Sequence, residues 1–171
     1  MCLLIAGIAC IIPMYIIFSN VPKIIGASKV DKHEAIYDTC WVFGVILFGI
    51  ILNIILTHSG IINISKGFEN SSATLSDGSF FVKLLCNCLV IPILEELLMR
   101  GIICGQLYLW YGTAAAVIIS SICFGIIHNN IVQFIYAVLV GITLGFMYIK
   151  TKLLSLCILA HCMINFTAII F

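Results

Sequence analysis

Long apolar runs dominate this chain, and their lengths limit what it can fold into. Crossing the ~30 Å of a bilayer core takes ~20 apolar residues, with ~17 tolerated. Runs of about that length lie near 1–18, 38–57, 81–110, 113–128, 131–149 and 153–170. In lipid a helix satisfies its own backbone hydrogen bonds. The expected fold is therefore all-α: a polytopic membrane helix bundle of about six transmembrane helices, forming a single transmembrane domain over residues 1–171. With 63% hydrophobic and 9% charged residues, the chain is not a soluble globular domain, which would carry roughly 45–50% and 25%.

The connections set an expected orientation. Residues 19–37 carry Lys23, Lys29, Asp31, Lys32 and Glu34, and residues 58–80 are the one long polar stretch, with Asn63, Ser65, Lys66, Glu69, Asn70 and Asp77. Lys23, Lys29, Lys32, Lys150 and Lys152 fall in alternate connections on one side, against Lys66 and Lys83 on the other. The positive-inside bias then puts both termini outside the cytoplasm. Met1–Phe18 lacks a basic leading region and stays apolar to its end, so it is expected to be a first transmembrane helix and not a cleaved signal. Trp110 and Tyr111 before Gly112 fit an interfacial helix end. Net charge of +1 with dispersed lysines leaves no basic patch, so membrane lipid is the expected partner and nucleic acid is not. The nine cysteines form no C-x-x-C pair and read as small buried hydrophobes.

Against this background the ionisable residues inside apolar runs stand out. A charge at bilayer depth costs roughly 2.5–3.5 kcal/mol, so such groups pair, line a wet cavity or do chemistry. In Ile91–Arg100, Glu96 and Arg100 are four apart and share a helix face, where they can form an ion pair. Glu95, ~100° around the axis, is free to face a cavity. The competing reading makes all three a buried charge cluster that ties helices together. Pro92 lies just before the pair and, in an α-helix, would free the carbonyl of Cys88. Phe124 and His128 are also four apart, with Gly125 between them allowing close approach of a neighbour. So are His161 and Asn165, two hydrogen-bond donors suited either to a developing oxyanion or to interhelical adhesion.

Together these residues resemble the CAAX-prenyl endopeptidase and bacteriocin-processing family of intramembrane proteases, also called the Abi or CPBP family. Its E-E-x-x-x-R motif stands as Glu95-Glu96-Leu97-Leu98-Met99-Arg100, its F-x-x-x-H as Phe124 to His128, and its H-x-x-x-N as His161 to Asn165. The helix marked by Gly141 and Gly145 is similar too, and the resemblance covers roughly residues 85–168, placing a catalytic core at about 80–170. It implies a multi-pass endopeptidase of a bacterial cell membrane. Glu95 and His128 would activate a water, His161 and Asn165 would hold the oxyanion, Glu96 and Arg100 would be structural and Phe124 supporting.

No cofactor is expected. The metal variant would place Zn²⁺ on Glu95, His128 and His161, although no H-E-x-x-H occurs. The substrate would be a peptide or protein, with a bacteriocin precursor and a prenylated C-terminal peptide as the two candidates. A non-enzymatic bacteriocin self-immunity or peptide-binding membrane protein is the alternative from another class. A transporter using Glu95 as a proton site is a third, and it has no use for His161 and Asn165.

Overall fold

The computed structural model describes residues 2–24, 32–59, 79–128 and 130–170. Helix α1 spans Cys2–Asn20 and α2 spans Lys32–His58. A long composite helix follows, built from α3 (Phe80–Leu85), a π-helical segment (Cys86–Val90), α4 (Ile91–Glu96) and a second π-helical segment (Leu97–Cys104). It runs on into α5 (Gly105–Ile126), then α6 (Ile131–Thr151) and α7 (Leu154–Ile170) complete the bundle. The polar material expected over 58–80 falls mostly on 60–78, and Lys29 on 25–31, outside the described residues.

The chain is an all-α membrane helix bundle, and its surface shows why. Large apolar side chains face outward, such as Ile12, Phe43, Leu47 and Trp110, at 58–68% exposure, while Glu96 and Arg100 are 0% and 1% exposed. That inversion suits a lipid solvent and would be ruinous in water. Ala35–His58 and Ile131–Thr151 are long and apolar enough to cross a membrane, and Leu4–Asn20 and Leu154–Ile170 are shorter apolar helices.

Most expected boundaries are met within a few residues. The main departure is α2, which starts at Lys32 instead of near 38. Its first turns carry Lys32 and Asp38, so the helix runs past the apolar stretch that defines a span: hydropathy marks where a helix is buried in lipid, not where it begins. The break expected at Gly112 is present, with φ 79° and ψ −174° inside α5. Only glycine tolerates that backbone without strain. The chain therefore turns back after Trp110 and Tyr111, and the rest of α5 packs against the composite helix and α6.

Two devices seat α6. Asn130 caps its start: the side-chain Oδ1 accepts from the Gln133 N–H at 2.8 Å, and its Nδ2 donates to Gln133 Oε1 at 2.7 Å. Glycine permits the close crossing. A Cβ on Gly125 would lie 2.6 Å from Val138 and 2.9 Å from Phe134, and one on Gly141 would lie 3.1 Å from Ser121. The core on the far side of this crossing is Val117, Val140, Leu144, Met147, Cys157, Ala160 and Ile164. The eight cysteines with described side chains are free; Cys86, Cys88, Cys104 and Cys157 are buried as expected of small hydrophobes, whereas Cys10 and Cys40 are exposed on the outer, apolar surface of α1 and α2.

Candidate functional site

The polar residues of the three motifs converge although they come from separate helices. Glu95 on α4, Phe124 and His128 at the end of α5, and His161 and Asn165 on α7 all line one cavity of about 640 Å³. Glu96 and Arg100 lie behind its wall. The remaining walls mix apolar side chains, among them Ile91, Val132, Val140 and Ile164, with polar ones that include Asn53 and Asn87.

Behind the wall, Arg100 Nη1 donates to Glu96 Oε1 at 2.8 Å, and Nη2 donates to the Gly141 carbonyl at 3.2 Å. The guanidinium also lies over the Phe124 ring, 4.7 Å from its centroid. The expected ion pair thus exists and ties the composite helix to α6. It also has a member that sequence did not reveal. His161 Nδ1 is 2.8 Å from the same Glu96 oxygen. A carboxylate only accepts, so Nδ1 carries the hydrogen and Nε2 is turned away from Glu96, lying 3.6 Å from Glu95 Oε2. One carboxylate is therefore neutralised and orients an imidazole, while the other faces the cavity with 17% of its side chain exposed.

His128 is fixed by its own helix. Nδ1 lies 2.8 Å from the Phe124 carbonyl. That acceptor demands a hydrogen on Nδ1, which leaves Nε2 as an acceptor for a cavity ligand. Phe124 organises both imidazoles, standing edge-to-face with His128 at 5.1 Å and with His161 at 5.6 Å.

The composite helix explains the placement of Asn165. In the first π segment the Ile91 N–H donates to the Cys86 carbonyl, one residue further back than in an α-helix. In that register the next donor, for the Asn87 carbonyl, would be residue 92. Pro92 has no N–H. The carbonyl left over is thus Asn87's and not, as the α-helical register predicts, Cys88's. Asn165 Nδ2 takes it at 2.9 Å. The contact fixes which end of the amide is nitrogen and leaves a second hydrogen on that nitrogen. The wide turns on either side of Glu95 and Glu96 are of the kind often found at functional sites.

Sequence reasoning missed Asn87, Gln133, Tyr136 and Lys83, all of which line the cavity. Asn87 was visible as a lone amide inside an apolar run, and Asn130 with Gln133 matches the capping pattern of a helix start. Among the described residues no three His, Cys, Asp or Glu side chains are arranged to hold a metal ion.

A lipid-facing helix bundle with acid, base and amide groups around one cavity defines a membrane protein built for chemistry or capture within the bilayer. The profile of the type II CAAX prenyl endopeptidase Rce1-like family matches residues 77–167, just over half of the chain, and the protein belongs to this family. It is also similar to the "Putative membrane peptidase YdiL" of Bacillus subtilis (strain 168), with 34% identity over 106 residues, which cover 61% of this chain and 43% of that protein. The chain thus spans under half the length of this relative. No solved structure matches it.

Proposed function

We propose that the protein is an intramembrane endopeptidase of a bacterial membrane, hydrolysing a peptide bond by general acid–base catalysis. The observation that carries this reading is the convergence of Glu95, His128, His161 and Asn165 on one cavity. Glu95 takes a proton from a water whose second hydrogen is held by His128 Nε2, and the hydroxide adds to the scissile carbonyl carbon. His161 Nε2 and the second hydrogen of Asn165 Nδ2 donate to the oxyanion. For that, His161 must carry hydrogens on both nitrogens. The charges of Glu95, Glu96, Arg100 and His161 then sum to zero, so the cluster places no net charge in the membrane. On collapse the C–N bond breaks and the departing amine takes the proton from Glu95.

CAAX-type specificity, and bacteriocin peptides as the other substrate class, belong to this proposal. The test is to compare peptide termini in membranes from cells expressing the native chain or Glu95→Gln. New carboxyl termini dependent on the native residue are expected. Identical sets of termini at equal protein levels would contradict the reading and favour a binding or immunity role.

A further inference from the structure

The side chains with which the composite helix lines the cavity change in character along its length. Lys83, Asn87, Ile91 and Glu95 all border the cavity and follow one another at steps of four, so they stand in a row down one face of the helix. Phe80, at the head of the row, is 63% exposed, whereas the Glu95 side chain at its inner end is 17% exposed. The order from the outside in is therefore cation, amide, apolar group, carboxylate. The catalytic steps use Glu95 and leave Lys83 idle. Among the described residues lining the cavity Lys83 is the one lysine or arginine, and no ion pair joins it to another described residue. A lysine serving only as an interfacial anchor would extend from the outer face of the helix. That face is held by Phe81, 64% exposed and ~200° around the axis from Lys83. Lys83 itself is half-buried on the cavity side.

We propose that Lys83 determines specificity: its ammonium holds a carboxylate of the bound peptide about five residues from the scissile bond. The word scissile rests on the peptidase reading, whereas the carboxylate site stands without it. Twelve helical residues separate Lys83 from Glu95, or ~18 Å at ~1.5 Å per residue. Both side chains lean toward the start of the helix, so their ends keep about that spacing. An extended peptide spans it with about five residues at ~3.3–3.6 Å each. Charge selects the outer end for the carboxylate. In the inner cluster Arg100 and His161 are matched by Glu96 and Glu95, so the unmatched positive charge of the cavity is that of Lys83. Between the two ends, amides suit a peptide main chain. Gln133 Oε1 is taken by Asn130, which leaves the Nε2 hydrogens of Gln133 to donate. An acidic side chain and a chain-terminal carboxylate offer Lys83 the same chemistry.

The test is binding to the purified full chain in detergent, read by fluorescence anisotropy. The probes are amidated peptides of about ten residues, twice the expected reach, that carry Asp, or Asn in its place, at each position in turn. A parallel Asn set with free carboxyl termini separates the two sources of the carboxylate. The native chain should bind the best-placed carboxylate roughly ten-fold more tightly than its uncharged counterpart, the scale of one charge-assisted hydrogen bond. Lys83→Met should abolish the difference and Lys83→Arg should keep it. Lys83→Glu should transfer the preference to peptides with Lys in place of Asp. Lys83→Gln repeats the comparison should Lys83→Met lower the thermal midpoint. A gain from internal Asp assigns the site to acidic side chains, and a gain from the free terminus alone assigns it to chain ends. Equal binding of charged and uncharged peptides, binding of none, or an undiminished preference without Lys83 would overturn the proposal. In cleavage, the preference should fall on KM with kcat nearly unchanged. Selective binding without cleavage would leave Lys83 standing and remove the peptidase reading, and cleavage without selectivity would do the reverse.

Discussion

Replacing Arg100 with Met keeps side-chain length and removes the charge, isolating what the guanidinium contributes. Arg100 is 1% exposed and Glu96 0%, so the loss leaves a carboxylate in a low-dielectric interior without its cation. Breaking such a pair from one side typically costs ~3–5 kcal/mol. The lost hydrogen bond to the Gly141 carbonyl and the contact with Phe124 would add to this if they were independent. They share one group, however, and removing it also relieves the desolvation of the guanidinium. His161 still donates to Glu96, which argues for the lower part of the range. We expect Arg100→Met to lose ~3 kcal/mol, lowering the thermal midpoint of the purified full chain in detergent by ~6–12 °C, at about 2–4 °C per kcal/mol for a chain of this size. Adding Glu96→Gln, which keeps an acceptor for His161 and removes the stranded charge, should recover much of the loss. An unchanged midpoint, or a double variant as unstable as the sum of the two singles, would refute the buried pair.

Asn165→Ala should lower turnover by roughly 10²–10³, the scale for one oxyanion donor, and full activity would remove Asn165 from the chemistry. Pro92→Ala restores an N–H to compete for the Asn87 carbonyl. It should slow cleavage without lowering membrane abundance, and have no further effect in an Asn165→Ala background; additive losses would show that Pro92 does not act through Asn165. Gly125→Val drives a side chain into Val138 and Phe134 and should cost at least ~1–3 kcal/mol, read as a lowered midpoint, with a native midpoint contradicting the α5–α6 contact. Purified protein should be active without stoichiometric metal. One zinc per chain, lost with activity in both His128→Ala and His161→Ala, would make those residues ligands.

The bundle was legible in the sequence because lipid imposes length and apolarity on every span, and Gly112 announced its own turn. The partition between Glu95 and Glu96 was legible too, since ~100° per residue separates adjacent side chains whatever the tertiary fold. The bond from His161 to Glu96 was not, because it joins residues 65 apart and depends on how two helices rotate about their axes. Nor was the Asn87–Asn165 contact. It requires the π register, which widens the turn and shifts the carbonyl freed by Pro92 by one residue, and apolar periodicity does not encode that shift.

The central claim is that Glu95, and not the neutralised Glu96, activates the attacking water. Its most direct test is the turnover of purified Glu95→Gln, reconstituted in lipid, on a peptide whose cleavage by the native chain has been shown. The account predicts no detectable cleavage, with the thermal midpoint and membrane abundance of the native protein retained. Near-native turnover in a well-folded Glu95→Gln protein would contradict it.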